Sequence, residues 1–412
     1  MLRKSFPFPD TSPKALSARA VVQGLCERGF TAYLAGGAVR DLLLGRSPKD
    51  FDVVTDARPQ EVLKIFRRTR KVGIAFGVVL VQDFGDSTEV ATFRTDGTYS
   101  DGRRPDSVSF TDPASDALRR DFTVNGLFYD IATGEVVDHV GGLEDLQRHR
   151  IRAIGHPQDR FGEDYLRILR ALRFALQLGF EIEEETWIAA RNLAGKIRDL
   201  APERVHAELV MIFAQGCSDR ALALLMESTL AEELLPAPFD SGKLRLGGAH
   251  EEGGDFCAAL AALLAASAIT PGGEEKFLLD LRCTRTEIKA ISGLLRESEA
   301  LRGYGTLPLC RRKRLLRAHE GPRLLFYASR TRMDDSVPGE LRGDLAAWTE
   351  QSLRPQPLIR GEDLAARGFP RSSKMATCLS HIEDLQLEGK IQSAEEAWAA
   401  LLAHPEFGPL LT

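Results

Sequence analysis

The sequence predicts an α+β protein, with a small mixed-sheet head followed by an elongated all-α neck, body and tail. In the first third of the 412 residues, short β-rich runs alternate with short helical runs. Beyond about residue 155, apolar residues recur every three or four positions, which is the spacing of amphipathic helices. We expect a head at residues 1–150, a neck at 151–236, a body at 237–355 and a tail at 356–412, all within the usual size range of domains.

The composition is that of an ordinary globular protein, with 43% hydrophobic and 27% charged residues. No apolar run is long enough to cross a bilayer, and residues 1–6 lack the apolar core of a signal peptide, so we expect a cytoplasmic protein without membrane contact. The six cysteines form no Cys-x-x-Cys pair, which favours free thiols over a zinc site. Because the net charge is −5, a polyanionic partner requires a local basic surface.

The head is predicted to contain strands at residues 31–35, 51–55, 78–81 and 89–93, and helices at 39–44 and 59–66. The last two strands are rich in β-branched residues and are expected to pair antiparallel. Pro59 favours the start of the second helix, because proline is common in a first helical turn. The neck is predicted to contain helices at residues 163–178, 184–193, 202–213 and 220–226.

Asp50 and Asp52 are the most informative residues of the head. Residues two apart on a strand face the same side, so both carboxylates are expected to share one space. Such a pair repels unless a cation neutralises it, and Mg²⁺ takes oxygen ligands that include phosphates. Alone, the pair also fits a solvated turn. However, Gly36 and Gly37 lie just upstream, where the backbone can approach a phosphate, and together these residues predict a metal and nucleoside-triphosphate site.

Four motifs of the chain resemble those of class II tRNA nucleotidyltransferases, within the polymerase-β-like superfamily. They are Leu-Ala-Gly-Gly-Ala-Val-Arg-Asp at residues 34–41 followed by Asp50-Phe51-Asp52, Arg-Arg-Asp-Phe-Thr-Val-Asn at 119–125, the nucleotide-selecting motif at 163–174, and the neck motif at 202–208. The resemblance is specific over residues 33–213 and returns in part over 357–398. It implies a polymerase-β-like nucleotidyltransferase head that uses two Mg²⁺ ions.

The resemblance also implies roles for individual residues. The catalytic acids would be Asp50 and Asp52, which bind the metal, and Glu89. The alternative for Glu89 is an exposed acid on a strand, without a catalytic role. The nucleotide-binding residues would be Gly36, Gly37, Arg40, Arg120, Asp121, Asn125, Asp164, Arg167, Arg170 and Arg173. Among them, Arg40 and Arg120 would bind the triphosphate through forked, charge-assisted hydrogen bonds. An ion pair between Arg120 and Asp121 is the alternative for Arg120.

Asp164 and Arg167 are one helical turn apart and are expected to lie side by side. A carboxylate beside the N–H donors of an arginine can accept a hydrogen bond from the exocyclic amine of cytosine or adenine. Uracil and guanine carry a carbonyl in that place, which the negative charge of the carboxylate repels. A surface ion pair between the two residues is the alternative. We expect Arg170 to contact the nucleotide more directly than Arg173, because each three-residue step rotates around the helix.

Two further regions are interpreted through the resemblance. Residues 96–105 resemble the flexible loop of bacterial CCA-adding enzymes and favour addition of the final A, although a passive surface loop is the alternative. RNA contacts are predicted for Arg311, Arg312, Lys313 and Arg314, the densest basic run, and for Lys374 and Lys390 in a segment similar to the family's tRNA-gripping tail. The basic run fits a solvated helix face equally well.

The predicted function is template-independent extension of the 3′ end of tRNA from CTP, ATP or both, to build or complete the CCA terminus. The partners implied are the tRNA 3′ end with its acceptor and elbow region, and the two nucleotides; no protein partner is implied. A bacterial-type poly(A) polymerase and, from another class, a non-catalytic RNA-binding relic are the alternatives. The chain has no His-Asp dipeptide, so we expect no phosphohydrolase activity.

Overall fold

The computed structural model of the protein describes residues 1–8, 11–97, 107–247, 254–270, 272–331 and 336–411. The chain divides into two compact units, one formed by Met1–Gln215 with Leu224–Leu234 and the other by Gly216–Ala223 with Leu235–Thr412. The first unit contains the strands and the second is helical, which confirms the predicted α+β class. The bounds of the four domains proposed above remain predictions.

An eight-stranded mixed sheet in the order β1-β10-β9-β2-β3-β6-β5-β4 forms the centre of the first unit. The strands of the chain are β1 (Leu2–Ser5), β2 (Ala32–Ala35), β3 (Asp52–Thr55), β4 (Thr69–Gly73), β5 (Val78–Phe84), β6 (Asp86–Thr92), β7 (Arg94–Asp96), β8 (Val108–Phe110), β9 (Leu127–Asp130), β10 (Glu135–Asp138), β11 (Arg150–Ile151) and β12 (Glu181–Ile182). Strands β5 and β6 pair antiparallel, as predicted, whereas β3 and β6 run parallel.

The parallel pairing of β3 and β6 determines where the acids lie. Asp52 is the register partner of Glu89, so these two side chains leave the same face of the sheet as neighbours. The residues after Asp52 in β3 are buried, and Val54 belongs to an apolar cluster with Phe93 and Phe128. Burial of β3 therefore fixes the register that brings Asp52 beside Glu89.

The helices of the first unit surround this sheet and continue into the neck. They are α1 (Pro13–Cys26), α2 (Gly37–Leu43), α3 (Pro59–Ile65), α4 (Pro113–Leu118), α5 (Gly142–Gln147), α6 (Pro157–Glu163), α7 (Leu166–Leu178), α8 (Glu184–Asn192), α9 (Pro202–Phe213) and α11 (Leu230–Leu234), with α10 (Ser218–Glu227) divided between the units. Gly179, in the left-handed conformation, ends α7, and Pro202 opens α9.

The helix predicted at residues 163–178 is interrupted, which corrects the sequence interpretation. Asp164 has extended backbone angles (φ −154°, ψ 104°) and separates α6 from α7. Its carboxylate accepts a hydrogen bond from the amide of Leu166 at 3.0 Å, which competes with continuation of the helix. The carbonyl of Asp164 accepts from the amide of Arg167 at 3.0 Å, so the two residues span one turn at the start of α7, but their side chains bind different partners.

The described residues of the second unit contain helices and no extended strand. Its helices are α12 (Phe256–Ala266), α13 (Gly273–Asp280), α14 (Arg285–Arg296), α15 (Ser298–Arg302), α16 (Leu309–Ala318), α17 (Gly321–Arg330), α18 (Ser336–Ala347), α19 (Glu350–Leu353), α20 (Gly361–Ala366), α21 (Ser373–Leu387) and α22 (Ala394–Ala403). An apolar cluster that includes Ile359, Phe369, Ile382 and Leu401 forms the core of its last part. Over the described part of the chain, every helix is too short or too polar to cross a membrane, and no disulfide joins two cysteines.

The basic run of α16 pairs with other parts of the second unit. Arg311 binds Glu297 at 2.7 Å, and Arg312 donates through Nε to Asp344 at 2.8 Å. Tyr304 also donates to the buried Asp344 carboxylate, at 2.8 Å.

The following residues of α16 contact α21. Lys313 donates to the carbonyl of Leu387 at 2.7 Å, and Arg314 lies 2.7 Å from Glu383 and 2.9 Å from Asp384. The positive charges of the run are therefore largely compensated within the protein. RNA contacts by Arg311, Arg312, Lys313 and Arg314 stay a prediction.

Arg312→Met is expected to destabilise the second unit, because it leaves the buried carboxylate of Asp344 with Tyr304 as its main remaining donor. We expect a loss of about 2 kcal/mol in the free energy of unfolding. The matched control is Arg311→Met, whose exposed pair with Glu297 is expected to contribute less than about 1 kcal/mol. Urea unfolding of both variants measures the difference, and equal losses would contradict the structural role of Arg312.

Candidate active site

One cavity of about 690 Å³ in the first unit collects every predicted catalytic and nucleotide-binding residue except Glu89. Nine basic side chains line it, namely Arg40, Arg46, Lys49, Arg119, Arg120, Arg167, Arg170, Arg173 and Arg204, against the five aspartates Asp41, Asp50, Asp52, Asp121 and Asp164. This excess of positive charge favours a polyanionic ligand. Arginine is also the side chain whose donor fork best matches phosphate oxygens.

The glycine turn at the start of α2 forms one wall of the cavity. Gly36 has φ +69°, and its amide donates to the carbonyl of Leu127 at 3.1 Å. A Cβ at this position would lie 3.1 Å from Nη1 of Arg120. Residue 36 must therefore be glycine for two reasons, its left-handed backbone and the close approach of an arginine.

Asp52 and Glu89 form the acidic edge of the site. Both side chains are exposed, and Glu89 lies on the neighbouring strand without lining the cavity itself. Partial loss of hydration, followed by the charge of Glu89, raises the pKa of Asp52, while Arg120 acts in the opposite direction. Crowded carboxylates of this kind are oxygen donors that suit a divalent cation, which would relieve their repulsion.

Asp50 does not belong to the strand, which corrects the expectation of a strand pair with Asp52. Strand β3 begins at Asp52, and Asp50 precedes it in irregular backbone, yet both residues line the same cavity. Lys14, in the first turn of α1, binds Oδ1 of Asp50 at 2.8 Å and the carbonyl of Lys49 at 2.6 Å. No local pattern predicts this contact, because Lys14 and Asp50 are 36 positions apart.

Residues of three motifs form a chain of hydrogen bonds. Arg40, only 4% exposed, donates to Oδ1 of Asn125 at 2.6 Å, and Asn125 donates to Asp121 at 3.1 Å. The other oxygen of Asp121 accepts from Nε of Arg170 at 2.9 Å. Burial acts to raise the pKa of Asp121, but the charge and hydrogen bonds of Arg170 prevail and hold it at about 2.

Asp164 is held by Arg204 of α9 rather than by Arg167. The two donor nitrogens of Arg204 lie 2.7 and 3.2 Å from the carboxylate oxygens of Asp164. Arg167 binds the carboxylate of Glu163 and the carbonyl of Arg160 instead. The alternative considered above, an ion pair between Asp164 and Arg167, is therefore not formed, although both side chains line the cavity.

Helix α9 makes a second ion pair one turn after Arg204. Glu208, 4% exposed, accepts from Nε of Arg173 at 2.7 Å. The ring of Phe174 lies beneath the guanidinium groups of Arg40, Arg170 and Arg173, at 5.3, 5.2 and 4.4 Å. Arg170 is the more accessible of the two successive arginines, with 33% of its side chain exposed against 13% for Arg173.

Sequence reasoning did not assign several residues of the site: Lys14, Arg46, Lys49, Arg119, Phe174, Arg204 and Glu208. Arg119 and Arg204 belong to motifs that were recognised, and the four-residue spacing of Arg204 and Glu208 on one helix face was an available signal. The predicted RNA-binding residues lie in the second unit. There Lys374 is exposed and Lys390 binds Glu388 at 2.6 Å. Residues 98–106, the larger part of the predicted flexible loop, lie outside the described residues.

Two parts of the chain match models of known protein families. Residues 32–152 match the model of the poly A polymerase head domain, and residues 179–240 match the model described as the probable RNA and SrmB-binding site of polymerase A. The first match contains the glycine turn, the acids and the second motif. The second contains Arg204 and Glu208.

Individual relatives point to the same family. The CCA-adding enzyme of Bacillus pumilus is 44% identical over 215 residues, which are 52% of this chain and 54% of that enzyme. The chain thus matches about half the length of its curated relatives.

Solved structures extend the likeness in fold. The Bacillus stearothermophilus CCA-adding enzyme in complex with CTP aligns over 95% of this chain and 98% of its own, with 27% identity and a TM-score of 0.66. The Thermotoga maritima CCA-adding enzyme complexed with tRNA has the same fold, with 21% identity, a TM-score of 0.71 and coverage of 95% and 97%. The chain therefore carries the head domain of the poly A polymerase family and is a relative of the CCA-adding enzymes, which confirms its resemblance to class II tRNA nucleotidyltransferases.

Proposed function

We propose that this protein is a nucleotidyltransferase that extends the 3′ end of tRNA from CTP and ATP without a nucleic-acid template. The observation that carries the proposal is the cavity in which arginines that suit a triphosphate meet the edge formed by Asp50 and Asp52. The relatives named as CCA-adding enzymes, and the bound CTP of one of them, support the same reaction.

In the proposed reaction, the terminal ribose hydroxyl of the tRNA attacks the α-phosphate in line. A new phosphodiester bond forms, the bond to the β-phosphate breaks, and pyrophosphate leaves. The arginines of the cavity hold and orient the triphosphate, so the chain's share is positioning and charge neutralisation.

We propose that Mg²⁺ is the cation of this site and that it binds as a two-metal centre. Asp50 and Asp52 would be its ligands, with Glu89 as the third acid. Bound there, the metal would neutralise charge on the phosphates and favour ionisation of the attacking hydroxyl. The donor set fits, since Asp50 and Asp52 line the cavity, Glu89 is the register partner of Asp52, and the pKa of Asp52 is raised partly by its acidic neighbours.

Asp164 is the proposed reader of the incoming base. Both of its oxygens bind Arg204, and Oδ1 also accepts from the amide of Leu166, but Oδ2 retains a further lone pair for the exocyclic amine of cytosine or adenine. Uracil and guanine would present a carbonyl to the same negative charge and be refused. We propose that the arginines along α7 supply the hydrogen-bond donors that act on the base together with Asp164.

Two alternatives receive less support. A poly(A) polymerase shares the head, but residues 72–78 lack the basic signature that such enzymes carry before the third acid, and the relatives described above are CCA-adding enzymes. A non-catalytic RNA-binding relic is expected to have lost its acids, whereas both Asp50 and Asp52 are retained at the cavity.

The direct test supplies purified protein with CTP, ATP and Mg²⁺ and two tRNA transcripts, one ending before CCA and one ending after CC. Extension of both transcripts by the missing nucleotides identifies a full CCA-adding enzyme, whereas extension of the second alone identifies an A-adding enzyme. Long A tails on unrelated RNAs, without use of CTP, would favour the poly(A) alternative. Failure to extend either transcript would reject the proposed activity.

Asp50→Asn combined with Asp52→Asn is expected to abolish nucleotide transfer while tRNA binding persists, because the amides cannot compensate the charge of a divalent cation. We expect the rate to fall by at least about a thousandfold. Gel-based extension assays measure the rate, and filter binding measures tRNA affinity. Glu185→Gln, at an exposed position of α8, is the control for loss of an acid. Normal transfer by the double variant would refute the metal assignment.

Arg204→Gln is expected to reduce discrimination between CTP and UTP by about tenfold, because it frees the carboxylate that refuses the wrong base. The ratio of kcat/KM for the two nucleotides is the measurement. Arg191→Gln, an exposed change on α8, is the control and should preserve the ratio. A variant that loses stability but keeps wild-type discrimination would restrict Arg204 to a structural role.

A further inference from the structure

A buried carboxylate behind the cavity wall holds two of its arginines. Asp116, in α4, is fully buried and does not line the cavity. Its Oδ1 accepts from Nε and Nη2 of Arg119 at 2.9 and 2.8 Å, and from the amide of Arg94 at 3.2 Å. Its Oδ2 accepts from Nε and Nη2 of Arg120 at 3.2 and 3.0 Å. One side chain therefore binds two consecutive arginines in the same side-on manner.

The side-on contacts leave one nitrogen of each arginine less engaged. Among the described residues, Nη1 of Arg120 makes a long contact of 3.4 Å to the carbonyl of Asn125, and Nη1 of Arg119 lies 3.7 Å from Asp96. Both arginines line the cavity. The carboxylate thus occupies the inner edge of each guanidinium plane and leaves the opposite side available to a ligand.

Other contacts restrict Arg120 further. Its guanidinium lies 5.1 Å from the ring centroid of Phe128, and its Nη1 lies 3.1 Å from the position that a Cβ at Gly36 would occupy. Arg120 is therefore held between an aromatic ring, the glycine turn and Asp116. An arginine held on three sides has lost its rotamer freedom before any ligand arrives, which favours binding.

The charges remain in excess after this pairing. One carboxylate faces two guanidinium groups, so the cluster keeps a net positive charge at the cavity wall. Burial opposes ionisation of Asp116, but the charges of Arg120 and Arg119 prevail and lower its pKa. The carboxylate consequently stays ionised, and the arrangement is maintained at neutral pH.

We propose that Asp116 is a positioning residue that preorganises Arg119 and Arg120 as a two-arginine clamp for the polyphosphate of the incoming nucleotide. This inference rests on the proposed function for the identity of its ligand. Asp116 itself touches no substrate, and its effect passes through the two arginines.

The test measures binding of inorganic tripolyphosphate to the metal-free protein by titration calorimetry, in chelator and at low salt. Asp116→Asn keeps the shape of the side chain but replaces one acceptor with a donor, which faces an arginine N–H. We expect its Kd for tripolyphosphate to rise by at least about tenfold. Asp112→Asn is the matched control on the same helix. Asp112 caps α4 without contacting either arginine, asparagine caps equally well, and its Kd should not change.

A second variant covers the case in which Asp116→Asn does not fold. Arg120→Lys keeps the positive charge but cannot be held side-on, and it should also weaken tripolyphosphate binding by about tenfold. In steady-state assays, Asp116→Asn should raise the KM for the nucleotide more than it lowers kcat, which a general loss of stability does not do.

The outcomes separate this inference from the proposed function. Unchanged tripolyphosphate binding by Asp116→Asn or by Arg120→Lys would overturn the positioning role, even if the melting temperature falls. Wild-type protein that does not bind tripolyphosphate would overturn it as well. Protein that binds tripolyphosphate, loses that binding in both variants and yet does not extend tRNA would support the clamp and reject the proposed reaction.

Discussion

The site depends on the pairing of buried carboxylates with arginines that would otherwise repel one another. Asp121 binds Arg170, Glu208 binds Arg173, and Asp164 binds Arg204. Each carboxylate compensates part of the positive charge and occupies one edge of a guanidinium plane, so a concentration of cationic groups becomes compatible with a folded interior. A cavity lined by unpaired arginines would have to remain fully hydrated, and it would then bind anions without a fixed geometry.

These pairs also give the cavity its division into regions. The acidic edge comes from the sheet, where parallel pairing of β3 and β6 brings Asp52 beside Glu89. Part of the basic wall comes from α7 and α9, where Glu208 of α9 holds Arg173 of α7. A triphosphate that spanned both regions would have its negative oxygens beside arginines and its reacting phosphorus close to the acids. Chemistry that needs both a polyanion and a cation is thereby placed in one cavity.

The sequence predicted what depends on local spacing. The mixed-sheet head, the helical remainder, the glycine turn and the membership of Asp50, Asp52 and the arginines in one site follow from motifs in which the residues lie close together. It did not predict Lys14 beside Asp50, Arg204 beside Asp164, or Asp344 beside Arg312, because these partners are 36, 40 and 32 positions apart.

The helical spacing of Asp164 and Arg167 was misleading for a different reason. The carboxylate of Asp164 accepts from the amide of Leu166 and ends the helical pattern at that residue. The basic run of α16 illustrates the same limit, since a cluster of charges in sequence does not reveal how many acids face it in space.

The order of the central sheet places β1 and β4 at its two margins, where backbone donors and acceptors face outward. Each of these strands is short and carries an adjacent arginine and lysine, Arg3 and Lys4 in one and Arg70 and Lys71 in the other. Positive charge at a strand margin hinders the addition of a strand from another molecule. The same two dipeptides therefore favour solubility during synthesis and at high concentration, and neutral residues in their place would turn each margin into a template for aggregation.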